Sequence, residues 1–294
     1  MIIDRLQKDG LIAPPKWLPA NTHYLTQMGS IAYAVHTPES DIDVVGFAIP
    51  AKTEVFPHLA GHIEGFGAPR NPFSSWAQHH VQPPGGQEYD FTVYSIIKFF
   101  QLCLENNPNM IDTLFTPRRC VLHASNIGNY VLENRRLFLH KGSCRKFRGY
   151  AFSQLAKIRS KTASQNPKRQ ASIDAHGYDV KFAYHVVRLA LEAEQILTEH
   201  DLNLEANAPI LRDIRAGNWS LDHLEKWFEV KEIALEELLG KSDLRATPDE
   251  DAIRTVLLNA LEMHYGTISQ AIARETNVER VLSEMRAVID RHAA

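Results

Sequence analysis

The stretch 28–47, MGSIAYAVHTPESDIDVVGF, constrains this chain more than any other. Gly29-Ser30 is followed, after ten intervening residues, by Asp41-Ile42-Asp43 at the head of an apolar run, Ile42-Asp43-Val44-Val45-Gly46-Phe47. Side chains of an extended strand alternate between faces, so Asp41 and Asp43 share one face while Ile42 and Val44 enter a core. Two carboxylates side by side repel each other unless water solvates them or a cation lies between them. A lone Asp-x-Asp is more often a solvated strand edge than a metal site. The upstream Gly-Ser shifts that balance, because a tight turn of this kind offers N–H groups and a hydroxyl to a phosphate. A phosphate holder feeding a carboxylate pair is the equipment of phosphoryl or nucleotidyl transfer.

The surrounding chain is organised to match. Residues 1–21 read as an irregular lead-in broken by Pro14, Pro15 and Pro19. His23–Gln27 reads as a first strand, Ile31–His36 as a short helical turn, and Asp41–Ile49 as a second strand. Residues 51–86 carry five prolines and no clean period, and read as an excursion lying over the site. His58, His62, His79 and His80 fall in it with no Cys or acid partners that complete a ligand set, which favours surface or substrate-contact roles over a metal site. Gln87–Thr92 reads as a third strand with Glu88 and Asp90 on one face. A helix follows from Val93 to about Glu105, ended by Asn106-Asn107-Pro108-Asn109, and then a short one at Met110–Phe115. Beyond about residue 140 the periodicity is helical: 147–159, 179–200, 208–216, 221–239, 249–264 and 267–293. Residues 163–173 are polar and basic, and read as a mobile loop. The expected architecture is α+β, a small mixed sheet with flanking helices over 1–140, then an all-helical domain over 141–294.

No apolar run approaches the length needed to span a bilayer, and the N-terminus lacks the pattern of a signal peptide. There is no dinucleotide fingerprint and no Walker loop. Cys103, Cys120 and Cys144 lack Cys-x-x-Cys spacing and read as small buried hydrophobes, so a reducing cytoplasm is the expected setting. The net charge of −3 is unevenly spread. Between Arg118 and Arg188 stand fifteen Lys or Arg against three acids, a net of +12, which leaves −15 for the remainder. That asymmetry suggests a polyanionic partner for the middle of the chain. Phe147, Tyr150 and Phe152 interleave rings that suit base stacking, although such spacing is commoner in a core. On the helix over 179–200, Lys181, His185 and Arg188 share one face at i, i+4 and i+7. By pattern alone this is a solvated cationic face.

GSIAY followed by ESDIDVVGF resembles the signature of the DNA polymerase beta nucleotidyltransferase superfamily, in the branch associated with RNA repair. The segments YDFTVYSIIKFFQLCLENNPNMIDTLFTP and GYDVKFAYHVVRLALEAEQIL are similar to further parts of that branch, so the likeness covers roughly residues 22–240. The chain departs from the pattern at Ala34, where the branch usually carries Gly. The resemblance implies a metal-dependent enzyme moving a nucleoside monophosphate from an NTP, ATP or CTP, to an acceptor hydroxyl, with an RNA 3′ end as the leading acceptor. It implies a two-ion Mg2+ site, in which Mn2+ can substitute, held by Asp41, Asp43 and a third acid. Asp90 matches the superfamily's third acid, and Glu88 on the same face is its local rival. Gly29 and Ser30 would hold the triphosphate. The likeness also turns the face bearing Lys181, His185 and Arg188 into a phosphate-binding one. Two alternatives stand beside this reading: the same chemistry on a protein or small-molecule hydroxyl, and a catalytically silent RNA-binding protein.

Overall fold

Period-2 burial on two neighbouring strands sets the frame. Tyr24 and Phe47 face one side of the sheet, while Leu25 and Val44 face the other, and all four are fully buried. In the computed structural model, which describes residues 1–38, 40–61, 72–160, 167–266 and 285, these strands are β1 (Thr22–Met28) and β2 (Ile42–Ala48). They are joined by β3 (Ser75–Val81), β4 (Tyr89–Ser95) and β5 (Val121–Ala124). The helices are α1 (Ile2–Lys8), α2 (Lys52–Val55), α3 (Ile96–Leu104), α4 (Pro108–Leu114), α5 (Asn126–Glu133) and α6 (Lys141–Arg159). They continue with α7 (Pro167–His176), α8 (Val180–Glu199), α9 (Ala208–Arg215), α10 (Leu221–Lys241) and α11 (Glu250–Tyr265).

The five-stranded sheet has the order β3-β4-β2-β1-β5. β1 runs antiparallel to β2 and β5, β3 antiparallel to β4, and β2 parallel to β4. The β2–β4 pairing requires a crossover, and the chain from 49 to 88 supplies it while laying β3 on the outer edge. One face of the sheet is closed by α1, whose Ile3 and Leu6 pack with Leu25, Val44, Phe91 and Val93. The other face shares a continuous core with the helices, running from Tyr24 and Phe47 through Phe99 and Phe147 to Val186, Leu224 and Ala260. Gly46 permits the tight β1–β2 contact, since a Cβ there would lie 1.9 Å from the Tyr24 carbonyl oxygen.

The mixed α+β architecture is as expected, with several corrections. The lead-in contains α1, ended before the prolines. The excursion contains β3, so the strand carrying Asp90 is the fourth in the chain, and it lies inside the sheet between β3 and β2. Its helix begins at Ile96, where the Ser95 hydroxyl accepts from the Lys98 amide at 3.1 Å as an N-cap. Asn107 caps α4 in the same manner and places Pro108 in its first turn, where a missing N–H costs nothing. The described part of the expected loop at 163–173 belongs to α7, which starts at Pro167. The helix expected at 267–293 falls, apart from residue 285, outside the described residues, as do His62, Gly65 and Gly67.

Candidate active site

Asp43 on β2 and Asp90 on β4 are direct partners in the parallel ladder, so their side chains leave the sheet side by side. They leave on the face opposite Val44 and Phe91, toward the helical half. The Asp43 carboxyl is half-buried and titrates above the usual carboxylate range. Burial is the main cause; the Asp90 charge pushes the same way, and Lys181 pulls back before Asp41 adds its smaller repulsion. Asp41 is exposed, one residue before β2 begins. Asp43 is close enough to feel both other acids and Lys181.

The Gly-Ser turn lies directly against this group. Gly29 has φ +68, and a Cβ there would stand 2.2 Å from Asp43 Oδ2. Only glycine satisfies both the left-handed backbone and the close approach of the carboxylate. Residues Gly29–Ile31 form a single 3-10 turn, and the Val35 amide donates to the Ser30 carbonyl at 3.0 Å. The Ser30 hydroxyl makes no hydrogen bond among the described residues. Ala34 has φ +54, which gives the physical reason a glycine suits this position: an L side chain is strained in that region. Three cationic side chains reach the turn from elsewhere. Arg119 Nη2 donates to the Ile31 carbonyl at 2.7 Å, and Arg212 Nε donates to the Ala34 carbonyl at 2.9 Å. The third, Arg188, donates to the Tyr33 hydroxyl, which itself donates to Asp112 Oδ2 at 2.6 Å.

The three α8 residues therefore part company. Lys181, at the head of the helix, is exposed and faces the acids. His185 is half-buried and held neutral, its pKa lowered to about 2 by burial and then by the neighbouring Arg188 and Lys181 charges. Arg188 is 4 % exposed and forms ion pairs with Asp112 and Glu192, both sealed from solvent. Burial raises both of those carboxyls, and Arg188 draws them back. The helical wheel puts the three residues on one face, but other elements cover that face over its inner two-thirds. Arg188 thus bonds to Tyr33 of the turn from inside the protein, whereas the expectation placed it on an open face against phosphate.

Two residues outside the expected set also reach the acids. The register of β3 on β4 shifts between Gln78 and Val81, and His80 in that irregularity has φ +56. The His80 amide donates to Asp90 Oδ1 at 2.8 Å, and its ring Nδ1 lies 2.6 Å from Glu88 Oε1. His79 Nδ1 lies 3.5 Å from the same Asp90 oxygen. Among the described residues, the donor atoms of His80, Glu88 and Asp90 form a group all within 4.8 Å of one another. The acids that partner these histidines, Glu88 and Asp90, stand eight and ten residues after His80, at the start of the adjacent strand. The spacing of His80 and Glu88 across a hairpin was the available signal.

The basic middle segment is answered in part within the chain. Arg119 pairs with Glu205, Arg136 with Asp201, Arg148 with Glu232 and Glu236, and Arg159 with Glu225. Phe147 is core, as the commoner reading of its spacing had it. On α6, however, Arg145 and Lys146 have no ion-pair partner among the described residues. With Gly149, Tyr150 and Ser153 they line a shallow cavity of about 320 Å³. Tyr150 and Phe152 are 41 % and 49 % exposed, and Phe152 packs edge-on against Phe228.

Comparison with known proteins bears on this geometry. The family model RlaP, described as the RNA repair pathway DNA polymerase beta family, matches residues 13–238. The chain belongs to that family. A polymerase-beta-like nucleotidyltransferase of an RNA repair pathway is accordingly its class. A search of the curated proteins finds no match. Among solved structures, a nucleotidyltransferase-like protein from Exiguobacterium sibiricum 255-15 is similar at 10 % identity, over 99 % of this chain and 90 % of that one. Its TM-score is 0.28.

The acids of this RlaP chain fit the divalent ions that such enzymes use. Carboxylate oxygens are the donors Mg2+ and Mn2+ take, and a bound cation would offset both the burial that chiefly raises Asp43 and the Asp90 repulsion that adds to it.

Proposed function

We propose that this protein transfers a nucleoside monophosphate from an NTP, ATP or CTP, to the 3′ hydroxyl of an RNA, tRNA-like in character. The observation that carries the reading is the in-register pair Asp43 and Asp90, set against a glycine turn that admits no side chain. Asp41, Asp43 and Asp90 would hold two Mg2+ ions, with Mn2+ able to replace them. Bound there, such ions neutralise phosphate charge and lower the pKa of an acceptor hydroxyl. Asp90 is preferred over Glu88 as the third acid because it faces Asp43 across the ladder, while Glu88 is turned to His80.

The remaining steps fall to the chain's own groups. Gly29 and Ser30 supply an N–H-lined turn and a free hydroxyl to the triphosphate. Lys181 supplies the solvent-facing cation for the leaving pyrophosphate. His185, being neutral, is suited to donate or accept a hydrogen bond there. Arg188 orients the turn through Tyr33. Residues 1–140 form the catalytic half in this reading, and 141–294 the helical half. RNA would track the basic part of 118–188, above all Arg145 and Lys146, without ion-pair partners among the described residues, beside the exposed ring of Tyr150. The three cysteines are free and buried, in keeping with a cytoplasmic setting, and no described helix is long and apolar enough to cross a membrane.

The test is incubation of purified protein with Mg2+, each labelled nucleotide and mixed cellular RNA. Label on RNA supports the reading. Label on protein or a small hydroxyl compound moves the acceptor to the alternative class, and RNA retention without transfer marks a silent binder. Arg145→Ala and Lys146→Ala should each weaken RNA binding and flatten its salt dependence by about one unit of slope.

A further inference from the structure

We propose that His80 and Glu88 extend the metal site beyond the aspartates, giving the ion held by Asp90 an imidazole ligand. That position would therefore select Mn2+, or a similar first-row transition ion, over Mg2+. The inference rests on the nucleotidyltransferase reading only for its biological use; the binding site itself stands on geometry.

Three observations converge. His80, Glu88 and Asp90 already bring one nitrogen and two oxygen donors within 4.8 Å of one another. That is a mixed donor set, and imidazole favours transition ions whereas all-oxygen sets suit magnesium. Second, the backbone is bent to achieve it. Alternation along a strand should send His79 and His80 to opposite faces, yet both lie beside Asp90 because β3 breaks register there. The break holds His80 at φ +56, in the left-handed region that few residues other than glycine adopt, His more readily than most. Glycine would fit that backbone with less strain, and the His80 ring set there reaches Glu88. Third, the ring is exposed and built into no core. Its hydrogen bond to Glu88 would be replaced by shared coordination when an ion enters, so no buried packing has to be broken.

The experiment uses the full chain, stripped of metal, with Mn2+ added in the presence of excess Mg2+ and no nucleotide. Pulsed EPR of the bound Mn2+ should show nitrogen coupling from a directly ligated imidazole. His80→Gly keeps the backbone conformation, as circular dichroism should confirm. It should abolish the coupling and weaken Mn2+ binding by about tenfold or more, with Mg2+ binding changed less than about twofold. Glu88→Gln should weaken Mn2+ binding without removing the coupling. Absence of nitrogen coupling in the unaltered protein, or its persistence in His80→Gly, overturns the proposal. Failure of nucleotidyl transfer with the coupling intact would instead defeat the enzymatic reading and leave the metal site standing.

Discussion

Two charged clusters of this protein lie on either side of the Gly-Ser turn and are treated in opposite ways. Behind the turn, Arg188, Asp112, Glu192 and Tyr33 are shut away from water and bonded to one another. In front of it, Asp41 and Asp90 lie near Asp43 with Lys181 as a nearby cation, and Asp43 titrates high, chiefly through burial and then through the Asp90 charge. Buried charges persist only when paired, whereas acids left in mutual repulsion store an affinity for whatever cation arrives. The inner cluster fixes geometry, and the outer one is held ready to bind.

The sharpest contrast comes from neutralising one acid in each. Asp43→Asn should cut transfer by about a thousandfold, equal to about 4 kcal/mol of barrier, while leaving the melting temperature unchanged or higher. Asp112→Ala strands Arg188 without one of its two carboxylate partners and should destabilise the fold by about 3 kcal/mol in denaturant titration. Equal loss of stability in both variants would erase the distinction between the clusters.

Acid titration sharpens it at a third place. His23, bonded to Ser125 and His264 at 2.8 Å and 3.0 Å, has its pKa lowered to about 4 by burial, then by His264 and His123. Its folded value lies below its unfolded one, so its contribution is complete above about pH 6.5 and is lost as pH falls toward 4. About 2 kcal/mol should disappear over that interval, and His23→Gln should flatten the slope. Asp43 has the opposite sign: its raised value favours the folded state in acid and loses that contribution as pH rises through the folded value. Asp43→Asn should remove that component from the stability profile. The smallest effect is expected at the turn itself. Ala34→Gly should raise stability by about 0.5 kcal/mol, because relief of the left-handed strain outweighs the added freedom of the unfolded chain.

The outer cluster was legible in the sequence because its elements are local. Gly29, Ser30, Asp41 and Asp43 lie within fifteen residues, and strand alternation alone puts both acids on one face. Asp90 needed the family resemblance. The inner cluster was not legible: Arg188 meets Asp112, 76 residues away, and nothing in a helical wheel tells which side another helix will cover. β3 was missed for a related reason. Ser75–Val81 is an edge strand whose residues are mostly exposed, so it lacks the apolar alternation that reports a half-buried strand. α1 escaped because seven residues give one apolar pair and no sustained period.

The anchoring of the turn by Arg119, Arg212 and Arg188 has an implication for how such proteins can be rebuilt. Two of those side chains come from the C-terminal half, on α9 and α8, and they grip the peptide that would receive the nucleotide. The N-terminal half is thus not a portable cassette. Grafted onto a different helical partner, it would keep its carboxylates and lose the grip that aims its loop. Swapping halves between relatives should succeed only when the arginines travel with the loop they restrain.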